Sequence, residues 1–322
     1  MRRNLESGES EVAGILVLAI LILIVLISPK STSTNTGSAW QLGPGTEISK
    51  SQENYGSGAV NYDATKPQVV NSNYKGNISI SSGNASYTYQ PYEEYIALDN
   101  YSSSPINITG WQLRNGKDRR TYYNGGSLQR FSADIATIPQ ATAFLSPTGN
   151  FSFQDVILKD GERVIITTGT IGVNTPYKIV SFKENMCTGY IEALSDYTFS
   201  PPLTQNCPRP GSDLGVSSLD IQCRTFINNL SSCRTPEFNP TTKDGASCNT
   251  CVNGTLLSSQ CADFVKEHYN YKGCVAYHSS DTNFSGRTWR IFLGRGWEMW
   301  AKEYETIELY DRLGNLVDFE NY

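Results

Sequence analysis

Glu94-Tyr95-Ile96-Ala97-Leu98-Asp99-Asn100, followed through the turn cluster Tyr101-Ser102-Ser103 by Ser104-Pro105-Ile106-Asn107-Ile108-Thr109-Gly110-Trp111-Gln112-Leu113, is the stretch that decides the fold class. Tyr95 to Leu98 is a short apolar run closed by turn residues. Ile106 to Thr109 and Trp111 to Leu113 alternate with the period of a strand. The same grammar recurs further along the chain. Val156-Ile157-Leu158 and Val164-Ile165-Ile166 flank Asp160-Gly161, which predicts a tight hairpin because glycine accepts positive φ without steric cost. At the far end, Ile307-Glu308-Leu309-Tyr310 and Leu316-Val317-Asp318-Phe319 flank Asp311-Arg312-Leu313-Gly314-Asn315. Gly314 is placed for the left-handed position of a bulged hairpin loop. Strands at this spacing, with no helical pattern between them, predict a sandwich.

The same residues carry a family resemblance. The stretch from Glu94 to Asn100, with Ser104 to Leu113, resembles the opening of a lamin tail domain, in which a strand ending in Asn leads through a short turn to a Gly-Trp-x-Leu strand. Glu305-Thr306-Ile307-Glu308-Leu309-Tyr310-Asp311-Arg312-Leu313-Gly314-Asn315-Leu316-Val317-Asp318 is similar to that family's closing hairpin, with Glu305 where an aspartate is usual. The resemblance implies an all-β, immunoglobulin-like β-sandwich for about 88–182 and 301–322. Alternation beginning near Asn77 extends the expected domain to 77–182 and 301–322. Residues 183–300 form a Cys-rich insert outside the resemblance. Through Ser181-Phe182-Lys183-Glu184-Asn185-Met186-Cys187-Thr188-Gly189-Tyr190 it is similar to inserts in exported or membrane-anchored prokaryotic members. The heptad rod of nuclear lamins is missing here, so nuclear scaffolding does not carry over.

Location is read from the other end. Val12 to Ile27 is an unbroken apolar run between Glu11 and Lys30, with Arg2 and Arg3 before it. At ~1.5 Å per residue, the span between those charges covers ~27 Å of helix, workable for a bilayer. The expectation is a cytoplasmic stub (1–11), one transmembrane helix (12–29) and a flexible Ser/Thr/Asn/Gly-rich stalk (30–76), with the remainder exported by the positive-inside rule. Two rival readings exist for this end. One is a cleaved signal peptide, although no A-x-A-like site follows the run. The other is a pilin-like N-terminus processed near Gly8, where Ser7 occupies the place of an expected basic residue. Net charge of −5 without a basic run argues against nucleic acid. Asn77, Asn84, Asn100, Asn107, Asn150, Asn229, Asn253 and Asn283 each begin a glycosylation sequon.

All the cysteines are confined to the insert: Cys187, Cys207, Cys223, Cys233, Cys248, Cys251, Cys261 and Cys274. An even, dense set on the exported side of a membrane predicts disulfides. Two amphipathic helices are readable among them. Leu219, Cys223, Phe226, Ile227 and Leu230 share their offsets with Leu257, Cys261, Phe264, Val265 and His268, and each stripe buries a cysteine. Antiparallel packing of the two would make Cys223–Cys261 one candidate bridge. Cys223–Cys274 with Cys233–Cys261 is the other. Zinc is the competing account, from Cys248-x-x-Cys251 with Cys261, His268, Cys274 and His278 downstream, but the second half lacks ligand spacing. His268, on the helical stripe, reads as a core imidazole.

Chemistry is sparse. The chain has two histidines, both in the insert, and no G-x-S-x-G, H-E-x-x-H, phosphate-cradling or dinucleotide motif. Glu93-Glu94 and Glu303/Glu305 read as solvated carboxylates. Within Trp289, Phe292, Trp297, Trp300 and Tyr304, the set Trp297, Trp300, Ala301 and Tyr304 suits one helical face capping the sandwich, with a glycan-stacking platform as the alternative. The expectation is a non-enzymatic module without catalytic residue, metal or cofactor. It would be membrane-anchored and extracytoplasmic, with structural or binding work toward a protein or glycan surface ligand. A pilin-like subunit assembling through the N-terminal helix and a cell-envelope hydrolase using His268 or His278 are the alternatives.

Overall fold

Apolar side chains two residues apart pair across neighbouring strands, and the chain follows those pairings into two facing sheets. The structure, a computed structural model, describes residues 69–172 and 176–322. In chain order the strands begin β1 (Ile78–Ser81), β2 (Tyr95–Asn100), β3 (Ile106–Asn107), β4 (Gln112–Asn115), β5 (Thr121–Asn124), β6 (Ser127–Arg130), β7 (Ile135–Thr137), β8 (Ala141–Thr142) and β9 (Phe153–Gln154). They continue β10 (Ile157–Leu158), β11 (Arg163–Thr167), β12 (Phe182–Asn185), β13 (Phe238–Thr241), β14 (Ser247–Val252), β15 (Thr255–Leu256), β16 (Ser285–Phe292), β17 (Thr306–Tyr310) and β18 (Leu316–Asn321). The helices are α1 (Gly189–Glu192), α2 (Ile221–Asn228), α3 (Ser259–His268) and α4 (Tyr271–His278).

One sheet runs β1-β2-β11-β16-β12-β8-β9 and the other β18-β17-β4-β7. Leu98, Val164 and Trp289 from the first and Leu113, Leu309 and Val317 from the second fill one core, with Trp111 and Trp300 inside it. The protein is therefore β-rich, two sheets sharing an apolar interior. A second core on the other side of the larger sheet includes Phe182, Cys187, Tyr190 and Phe199.

The closing hairpin forms as its sequence predicts. Gly314 has φ +79, the register shifts between Leu309 and Tyr310, and Asp311 Oδ1 accepts the N–H groups of Leu313 and Asn315 at 2.8 and 2.9 Å. The other expected hairpin does not form. Gly161 does turn the chain with φ +64, but β10 pairs with β3 while β11 pairs with β2 and β16. Val164 faces Leu98 and Trp289, and Ile166 faces Ile96 and Ile291. Those apolar ladders outweigh what a local return to β10 would bury.

Two boundaries move. Residues 183 and 300 were expected to bound the insert, yet β12 and β16 at its two ends are strands of the larger sheet, with β16 parallel to β11. The disulfide-bonded lobe proper lies between them. Residues 69–76, expected in the stalk, already belong to the domain. Ser72 N–H donates to Leu316 O and Leu316 N–H to Val70 O, both at 2.8 Å, and the Tyr74 ring lies 5.2 Å from Trp111. The Val12–Ile27 run, the remaining stalk and the Gly8 processing site lie outside the described residues. Among the described residues, no helix is long and apolar enough to cross a membrane.

Residues 293–305 contain no helix, against the expected aromatic helical face. Trp300 is buried, whereas Trp297 is 57% and Tyr304 89% exposed. The physical reason is a pair of carboxylates that sequence reading placed in solvent. Glu94 is fully buried, and its Oε2 accepts the Met299 N–H at 2.7 Å. Glu305, also buried, accepts from Gly116 N–H and Thr306 N–H at 2.9 Å and from Ala301 N–H at 2.8 Å. They supply acceptors that a helix would otherwise provide from its own backbone.

Burial raises the Glu94 carboxyl above its ordinary range, opposed by the backbone donors at Met299 and Trp300. A raised native value means the native state holds the proton longer than the unfolded chain. The stability this gives is present in acid and disappears as pH rises through the native value. Glu94→Gln removes that titration. The unfolding free energy of the wild type minus that of Glu94→Gln, measured by urea titration at several pH values, is expected to fall as pH climbs from the ordinary glutamate range. A pH-independent difference would contradict this account.

Candidate functional site

The disulfide-bonded lobe is the candidate site, and its core is built from two helix starts. Asp220 caps α2 by accepting from Cys223 N–H at 2.8 Å, and Ser258 caps α3 by accepting from Cys261 N–H at 3.2 Å. Ser258 Oγ in turn donates to Asp220 Oδ2 at 3.1 Å, which joins the two caps. Cys223 and Cys261 each lie in the first turn of their helix, so they meet and bridge. The first expected pairing is the one present. It arises where the helices start side by side, not from antiparallel packing along their lengths. Ile227, Val252, Leu257, Val265 and Tyr269 close a third core around the bridge.

The other bridges are Cys187–Cys274, Cys207–Cys233 and Cys248–Cys251, and among the described residues no cysteine is free. The Cys248-x-x-Cys251 pair weighed as a zinc half-site is thus a disulfide. No group of three or more His, Cys, Asp or Glu among the described residues is arranged to hold a metal ion.

His268 is a core imidazole. Its ring stacks between Phe264 at 3.8 Å and Tyr277 at 3.9 Å, and its Nδ1 lies 2.9 Å from Phe264 O. His278 is held differently: Nδ1 is 2.8 Å from Asp281 Oδ2, and Nε2 is 3.4 Å from Asp213 Oδ1. Burial raises the Asp213 carboxyl, an effect partly offset by the two histidines. The two nitrogens of His278 face different carboxylates, so the three groups share no common ligand position. What this arrangement does is tie α4 to the segment after Pro210.

At the neck of the lobe, Arg290 of β16 and Glu184 of β12 form a buried pair with Nε to Oε1 at 2.5 Å. The same guanidinium donates to Pro201 O at 2.6 Å and Pro202 O at 2.8 Å. Sequence reading did not single out either residue. Their only local signal is a charge of each sign within strand-like alternation.

The sequon asparagines divide by burial. Asn84 and Asn100 are buried, and their amides are used by the fold: Asn84 Nδ2 donates to Glu93 O and Asn100 Nδ2 to Leu158 O, both at 2.8 Å. A glycan on either has no room. Asn77 and Asn107 are half-buried, and Asn107 Nδ2 donates to Asp155 at 2.6 Å. Asn150, Asn229, Asn253 and Asn283 are exposed. No protein family matches the sequence, and no curated protein matches it.

Proposed function

We propose that this chain is an extracytoplasmic structural or binding module of the lamin-tail type. Its sandwich would be of the immunoglobulin-like kind, tethered by the apolar run Val12–Ile27, with the disulfide lobe as the surface turned toward a protein or glycan partner. The observation that carries this reading is the complete pairing of eight cysteines within one lobe, a state favoured in oxidising compartments. The lobe also projects from loops of a rigid two-sheet frame, where recognition surfaces usually sit.

The test is maleimide-polymer labelling of the full chain in freshly harvested cells, combined with protease treatment of intact cells. The expected result is no labelling before reduction, labelling of every cysteine after it, and digestion of the lobe from outside. Thiols that label without reduction, or a lobe protected until the cells are broken, would overturn the reading.

A further inference from the structure

One cleft in the lobe combines fixed walls with unpaired charge. It measures about 350 Å³ and lies between the end of α1, the end of α2, the segment Arg234–Glu237 and Asn253. Leu194, Leu230 and Pro236 give it apolar lining, and Arg234 and Glu237, both exposed, line it as well.

The backbone carrying those two charges is pinned at both ends. Cys233 is bridged to Cys207 and held in the left-handed region at φ +60. Its Sγ fits only because residue 189 is glycine, since a Cβ there would lie 2.2 Å away. At the other end, Glu237 N–H donates to Asn253 Oδ1 at 2.8 Å, and Asn253 N–H donates to Glu237 O at 2.7 Å. Asn253 is itself left-handed, with φ +49. Asn253 and Gly254, both at positive φ, are the two-residue turn between β14 and β15, which fixes that wall. Meanwhile neither Arg234 nor Glu237 has an ion-pair partner among the described residues. A backbone fixed in advance with free charged heads lowers the ordering cost of binding.

We propose that this cleft binds a free α-amino acid with an apolar side chain. The inference rests on the binding-module reading and gives it a ligand class. The ligand's carboxylate takes the planar donor fork of Arg234, its ammonium meets the Glu237 carboxylate, and its side chain lies on Leu194, Leu230 and Pro236. Opposite charges three residues apart along the lining of one cleft match a molecule whose ammonium and carboxylate are attached to one carbon.

The experiment is calorimetric titration of the purified full chain with L-leucine, leucinamide and N-acetylleucine. Saturable binding of leucine is expected, with each analogue weaker by about tenfold or more because one charge-assisted contact is lost. Arg234→Gln should abolish the preference for leucine over leucinamide while keeping that over N-acetylleucine; Glu237→Gln should do the reverse. Both side chains are exposed, and a non-reducing peptide map confirms that each variant keeps its four bridges. No saturable binding of leucine up to tens of millimolar, roughly the weak end of specific affinity, would end the proposal. So would discrimination left intact in both variants. Titration reads neither membrane location nor thiol state, so its failure leaves the broader reading standing and is separable from the failure of that reading.

Discussion

Replacing Cys187 and Cys274 together by alanine is expected to destabilise the chain by about 4–5 kcal/mol, the largest effect among the bridges. That disulfide spans 87 residues, against 38 for Cys223–Cys261, 26 for Cys207–Cys233 and 3 for Cys248–Cys251. Loop-closure entropy grows slowly with length, so the first three differ little, and the last stands apart at about 2 kcal/mol. Position adds to length here. Cys187 directly follows β12 and Cys274 lies in α4 ahead of β16, so this bridge closes the neck through which the lobe leaves the sheet. Both cysteines are buried in the second core, and alanine would also leave a void there. Urea unfolding of the four double-alanine variants orders them directly. If the Cys248/Cys251 variant proves as unstable as the Cys187/Cys274 one, loop length is not what makes these bridges matter.

Features set by local chemistry were legible in the sequence. Gly314 and Asp311 fix a hairpin within their own neighbourhood, and the apolar stripes through Cys223 and Cys261 mark two helices that bury those cysteines. Features set by distant partners were not. Glu94 looks solvated until Met299, 205 residues away, donates to it, and Glu305 until Gly116 does so across 189 residues. Asp160-Gly161 announces a turn, but turn chemistry does not choose the strand's partner; the apolar ladder through Val164 and Ile166 does. The helical spacing of Trp297, Trp300 and Tyr304 is coincidental, because the backbone donors of 299–301 are drawn to those two buried carboxylates instead of to their own turn. β16 was overlooked for a related reason. Its partner β11 is parallel and far along the chain, and its aromatic residues Trp289 and Phe292 were grouped with those of an expected helical cap. Within the candidate site, helices and cysteines were visible, whereas the left-handed backbone at Cys233 has no sequence signature outside glycine.

Glu184→Ala is expected to cost about 3–5 kcal/mol, the range for leaving one member of a buried ion pair alone. The side chains of Arg290 and Glu184 are only 5% and 2% exposed, and among the described residues no other carboxylate pairs with Arg290. Without Glu184 its charge stays desolvated, with only the carbonyls of Pro201 and Pro202 to face it. The backbone N–H of Thr204, which donates to Glu184 Oε2 at 3.2 Å, loses its acceptor as well. Removing both charges is a different perturbation. In Glu184→Leu with Arg290→Met, no ion remains to be solvated, the apolar side chains fill comparable space, and the two proline carbonyls, on partly exposed residues, turn to water. The double variant should therefore be more stable than Glu184→Ala, although it loses more hydrogen bonds. Equilibrium urea unfolding of the single and double variants decides the matter. A double variant at least as unstable as the single one would mean that the pair's own attraction, not the cost of orphaning a buried charge, holds the neck of the lobe.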